Sequence, residues 1–117
     1  GDEWETEVLL PHPYTFALMK LFAFRNRLDD ENKDFGRYHA LDLYTILATT
    51  TEPEWETALK FKEVYQKDLI VLEAGRLVSD CFSDVDQLGM IRMRESKYFK
   101  PSLRIEDFMG SLKDLFL

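Results

Sequence analysis

The 117-residue sequence predicts an all-α domain of five or six helices behind a short extended lead-in. Five Gly and four Pro leave long uninterrupted segments, which favours helices over many short strands. Apolar residues recur three and four apart through most of those segments. A hydrophobic content of 45%, with nine Phe, five Tyr and two Trp, excludes wholesale disorder and is enough for one buried core.

Residues 1–12 read as the lead-in: Glu5 to Leu10 alternates weakly and ends in Val8-Leu9-Leu10, before Pro11-His12-Pro13. Residues 13–117 read as the helical domain. Pro13 suits the first turn of a helix, where its missing N–H is not needed. The first helix is expected from about Tyr14 to Leu28, with Tyr14–Phe24 almost wholly apolar and buried on most sides. The polar stretch Asp29 to Arg37, containing Gly36, reads as a long loop.

A second helix is expected from Arg37 to Ala48, closed by Thr49-Thr50-Thr51. Thr51 and Glu54 form a capping box, with Pro53 in the first turn of a third helix running from Glu52 to about Lys67. Trp55, Ala58, Leu59, Lys62 and Val64 give that helix a mixed amphipathic face. A break at Asp68 separates it from a fourth helix, Leu69 to Phe82, in which Gly75 costs about 1 kcal/mol relative to Ala. Asp84 to Arg94 reads as a shorter helix, and Ser96 to Pro101 as a loop. Ser102 or its neighbour would then cap a last helix, Leu103 to Phe116.

Composition also bounds function. The lone Cys81 excludes a disulfide framework and a thiolate zinc site, and it reads as a core residue. No apolar run approaches the roughly 20 residues that span a bilayer, and the acidic start has no signal-peptide character, so a cytoplasmic protein without membrane contact is expected. A net charge of −7 argues against non-specific duplex nucleic-acid binding. That charge is uneven, with five cations (Arg92, Arg94, Lys97, Lys100, Arg104) facing one acid, Glu95, over residues 92–104. This cluster reads as a solvated basic face, with a phosphate-facing patch as the alternative.

The polar residues inside apolar helices are the functional candidates. Lys20, Ala23, Phe24 and Arg27 fall at i, i+3, i+4 and i+7, on one side of the first helix. Burying an ammonium is costly unless it is paired or faces a ligand, although the stem of Lys20 can also pack while its head reaches water. Arg27 suits a helix C-terminus and is equally able to grip phosphate with its planar fork. In the second helix Asp42 lies within Ala40-Leu41-Asp42-Leu43-Tyr44, three residues after His39 and on the same side. It can pair with Lys20 or Arg27, or act as a base. His39 can donate to Asp42 or touch a ligand. Two histidines and one cysteine give no converging metal-ligand set. Asp84-Val85-Asp86 has the spacing that holds magnesium in nucleotidyl transfer, but Gly75-Arg76 lacks the small-residue turn that should precede it.

Taken together, Pro13, the Lys-x-x-Ala-x-x-x-Arg pattern at Lys20, Ala23 and Arg27, and Asp42-Leu43 resemble the C-terminal half of nucleotidyltransferases of the abortive-infection toxin type. The resemblance covers about Pro11–Leu47. It implies that Lys20 and Arg27 contact the phosphates of a nucleoside triphosphate and that Asp42 completes the cleft as an auxiliary catalytic group; His39, beside Asp42, joins them as a nucleotide-binding candidate. The family often reads Arg-Asp-x-x-Asp-Leu where this chain has Tyr38-His39-Ala40-Leu41-Asp42-Leu43, so only the later acid matches and His39 replaces the earlier one. It further implies that Mg²⁺ binds to a metal-holding half that this chain lacks. Val8-Leu9-Leu10 would be the last strand of that half, supplied by a longer protein or a partner subunit, and no transfer is expected from this chain alone. The competing expectation is a non-catalytic helical interaction module.

Overall fold

The structure, a computed structural model, describes residues 12–117. The extended segment expected at Val8-Leu9-Leu10 lies outside the described residues. Six α-helices and one 3-10 turn make up the described chain: α1 Pro13–Arg27, the 3-10 turn Glu31–Gly36, α2 Arg37–Thr49, α3 Glu52–Tyr65, α4 Leu69–Cys81, α5 Leu88–Glu95 and α6 Ile105–Phe116. No strand occurs among the described residues. The all-α expectation holds.

Helix α1 is the central element. It packs most extensively on α2 and also touches the 3-10 turn, α3 and α4, while α6 closes the other side against α4, α3 and α2. Its buried residues Tyr14, Ala17, Leu21 and Phe24 follow the 3-4-3 spacing of one helix face. From Phe24 an aromatic chain crosses the core: Phe24 to Phe82 at 5.2 Å between ring centroids, Phe82 to Phe108 at 6.1 Å, Phe108 to Tyr44 at 5.3 Å and Tyr44 to Phe99 at 5.1 Å. These are edge-to-face and tilted contacts, which add to the burial of the rings. Phe24 belongs to this core, so the Lys20–Arg27 stripe marks the margin of the buried face and is not an open face.

Several helix ends match the sequence reading. His12 caps α1, its Nδ1 accepting from the Tyr14 N–H at 3.1 Å, and Pro13 takes the first turn. The Thr51–Glu54 capping box is complete: the Thr51 N–H donates to Glu54 Oε1 at 2.9 Å and the Glu54 N–H donates to Thr51 Oγ1 at 3.4 Å. The break at Asp68 is present, and its carboxylate caps α4 through the Ile70 N–H at 2.8 Å.

Two helix starts and one loop differ from the expectation. The short helix begins at Leu88 rather than Asp84, because Gln87 Oε1 takes the N–H groups of Ser83 (2.7 Å) and Asp84 (3.1 Å) into a turn. The last helix begins at Ile105 rather than Leu103, and Ser102 does not cap it. Tyr44 explains this, since its hydroxyl accepts from the Leu103 N–H at 2.7 Å and donates to the Leu103 carbonyl, holding that residue out of the helix. The expected loop at Asp29–Arg37 contains the 3-10 turn. Cys81 is half-buried at the margin of the core, where burial and Asp80 push its thiol pKa up.

Glycine choice follows close packing. A Cβ at Gly75 would lie 2.6 Å from the Phe116 carbonyl oxygen, so its absence lets α4 and α6 approach. At Gly89 a Cβ would lie 2.5 Å from two ring carbons of Phe82. Helix α4 buries Val71, Ala74, Gly75, Leu77 and Val78, and leaves Leu69, Ile70 and Leu72 exposed. On α3 only Ala58 is fully buried, with Val64 exposed and Trp55 packed at the core margin.

Candidate functional site

The sequence-marked residues meet on the α1–α2 face. Lys20 Nζ of α1 lies 2.8 Å from Asp42 Oδ2 of α2, joining the two helices that pack most extensively. The pair is not sealed: the Lys20 side chain is 27% exposed and that of Asp42 50%. An ion pair this open contributes about 0–1 kcal/mol to stability. Separating Lys20 from Asp42 therefore costs little energy.

His39, one turn before Asp42, sits in the same cluster. Its pKa is lowered first by burial and then by the positive charge of Lys20, with Arg27 acting the same way and Asp42 opposing. The imidazole is thus neutral at pH 7, and its Nδ1 is buried without a hydrogen-bond partner. Arg27 closes α1 as an exposed cation and makes no ion pair among the described residues. Two cations, one carboxylate and one neutral imidazole thus border the same helix pair. Chemically the group can hold an anion through charge-assisted contacts and present a neutral ring beside it.

A second polar feature went unread in the sequence. Asp34, Phe35 and Gly36 are three consecutive left-handed residues, with φ of 54°, 55° and 76°. Glycine adopts this conformation freely, whereas an aromatic residue there is an outlier. Arg37 spans the turn, its Nη1 donating to Asp34 Oδ1 at 2.7 Å and its Nε to Glu95 Oε1 at 3.2 Å. Arg92 donates to the same Glu95 oxygen at 3.0 Å. Both guanidiniums lie over the Phe35 ring, that of Arg37 at 5.2 Å from its centroid and that of Arg92 at 4.7 Å. The Arg92 and Arg37 hydrogen bonds hold the Glu95 carboxyl below the usual carboxylate range. An open cleft of about 620 Å³ lies over this network, bordered by Tyr38, Ser96, Lys97 and Tyr98. Gly36 was the only sequence signal for the turn.

The basic cluster disperses in three dimensions. Arg92 serves the Phe35 turn, and Arg94 donates to the carbonyls of Met90 (3.2 Å) and Val85. Lys97 lies over the Tyr98 ring at 5.1 Å, and Arg104 is a loose neighbour of Glu106 at 3.9 Å. Asp84 Oδ1 accepts from the Asp86 N–H at 3.2 Å in the turn before α5, and no group of three ligating side chains forms among the described residues.

No protein-family model matches the chain, no curated protein matches it, and no solved structure matches it. No helix among the described residues is long and apolar enough to cross a membrane.

Proposed function

We propose that the α1–α2 face binds the phosphates of a nucleoside triphosphate, as the helical portion of a nucleotidyltransferase-type protein. Lys20 and Arg27 supply the positive charge, Asp42 holds Lys20 in place until an anion arrives, and the neutral His39 borders the bound group. One observation carries this reading: the Lys20–Asp42 pair joins the two most closely packed helices yet stays open to solvent. The resemblance over Pro11–Leu47 supports it, and the metal-holding carboxylates it calls for belong to another unit or subunit.

Calorimetric titration with ATP, CTP, GTP and UTP tests it, on the chain as it stands and on Lys20→Ala. Loss of one charge-assisted contact weakens binding by about 1.5–3 kcal/mol, roughly 10- to 150-fold. Affinities identical in the two proteins, or no heat with any nucleotide at millimolar concentration, overturn the reading. A second reading, a helical interaction module, is favoured by the apolar side chains exposed around the α3–α4 corner, where Leu69 is 81% and Val64 71% exposed. A mass that rises with concentration, together with absent nucleotide heat, selects it.

A further inference from the structure

The strained turn sits where it matters most for the α1–α2 face. It joins the helix that carries Lys20 and Arg27 to the helix that carries His39 and Asp42, and Arg37 is the first residue of the latter. Left-handed backbone at Asp34 and Phe35 does not persist unless its surroundings enforce it. The restraints here are specific. The Phe35 N–H donates to the Asp30 carbonyl at 3.0 Å, and Gly36 is packed so tightly on Phe24 that a Cβ would lie 3.1 Å from the Phe24 carbonyl oxygen. Arg37 holds the remainder, gripping Asp34 within the turn and Glu95 on α5 while its guanidinium lies over the Phe35 ring. Arg92 also lies over the Phe35 ring and shares Glu95.

We propose that Arg37 is a positioning residue for the α1–α2 face: by clamping Asp34 and Phe35 in left-handed backbone, it sets where α2 begins and so where His39 and Asp42 stand against Lys20 and Arg27. Arg37 acts through the backbone and touches none of those four side chains by ion pair or hydrogen bond. The functional consequence rests on the nucleotide reading above, whereas the geometric content does not. A lysine cannot replace the clamp, since a single ammonium lacks the fork that reaches two carboxylates and stacks on a ring.

The two histidines make the test specific. His39 feels Lys20, Arg27 and Asp42 across the helix pair, whereas His12 lies edge-on to Phe61, 4.9 Å away, beside Glu54. Titration of both imidazole Cε1 resonances by NMR is done on the full chain and on Arg37→Ala, Arg37→Lys and Glu95→Gln. Expected is a rise of the His39 midpoint by about 0.5 in Arg37→Ala, as its cationic neighbours and its burial are loosened, with His12 unmoved. Glu95→Gln removes the carboxylate charge shared by both arginines and is expected to move His39 the same way by less. It keeps the test decisive if Arg37→Ala fails to fold. Arg37→Lys should resemble Arg37→Ala. An unmoved His39 midpoint in the folded variants overturns the proposal, and so does a joint shift of His12 and His39, which marks general loosening. ATP affinity, read separately, should fall about tenfold in Arg37→Ala if the nucleotide reading also holds. A moved His39 without any nucleotide binding keeps the clamp and discards the nucleotide.

Discussion

At the scale of single residues, the two histidines govern how stability responds to mild acid. Both His12 and His39 have pKa values below the ordinary 6.5, chiefly through burial. The unfolded chain therefore takes up protons first as pH falls. Stability from these two groups is complete above pH 6.5 and is lost progressively below it, down to the folded-state midpoints. His12 has a structural reason to resist protonation, because its Nδ1 must accept from the Tyr14 N–H at the start of α1. Urea unfolding at a series of pH values should show stability flat above 6.5 and falling below it. His12→Asn, which keeps a cap acceptor but does not titrate, should lessen the fall. Glu54 and Glu95, both held below 4.5 by hydrogen bonds, add a second loss only at lower pH. Tyr14, by contrast, is pushed up to about 12 by burial, helped by Asp68 and Tyr65, and stays neutral throughout. Residue-level chemistry was legible where it broke a pattern: a lysine and an aspartate in two apolar helices announced their pairing. Phe35 was not legible, since its left-handed backbone is imposed by Arg37 and by Arg92, far away in sequence.

At the scale of elements, glycines test the packing. In a bare helix Gly→Ala gains about 1 kcal/mol from propensity alone. Gly110 of α6 has no atom within 4 Å of where a Cβ would sit, so Gly110→Ala should stabilise by up to about 1 kcal/mol. Gly75→Ala should do the reverse, because the new Cβ meets backbone, the Phe116 carbonyl oxygen, which cannot swing aside. Overpacking of this kind costs about 1–3 kcal/mol and outweighs the propensity gain. Thermal unfolding of the two variants reads both signs. The sequence recorded Gly75 only as a cost, because a close helix approach leaves no trace in one helix's own pattern. Helix starts were legible where the cap was local, as at Thr51 and Asp68. They were missed where a distant group intervened, as with Tyr44 at Leu103.

At the scale of the whole molecule, the helical class followed from spacing and composition, and α1 proved central because its apolar run is continuous. The order of packing did not follow, since nearly all-apolar and mixed helices both allow several partners. Nor did the sequence say which side of α4 is buried. The Leu69–Leu72 side of α4 is exposed, and Val71 to Val78 carries the contact. The site was legible as a meeting of charges across α1 and α2, and its support by the Phe35 clamp was not. This meeting point is where phosphate is proposed to bind. The most direct measurement adds ATP to the chain while following both histidine Cε1 resonances by NMR. Expected is a saturable shift of His39, abolished by Lys20→Ala, with His12 still. An unmoved His39 at millimolar ATP, or a shift that survives Lys20→Ala, would contradict it.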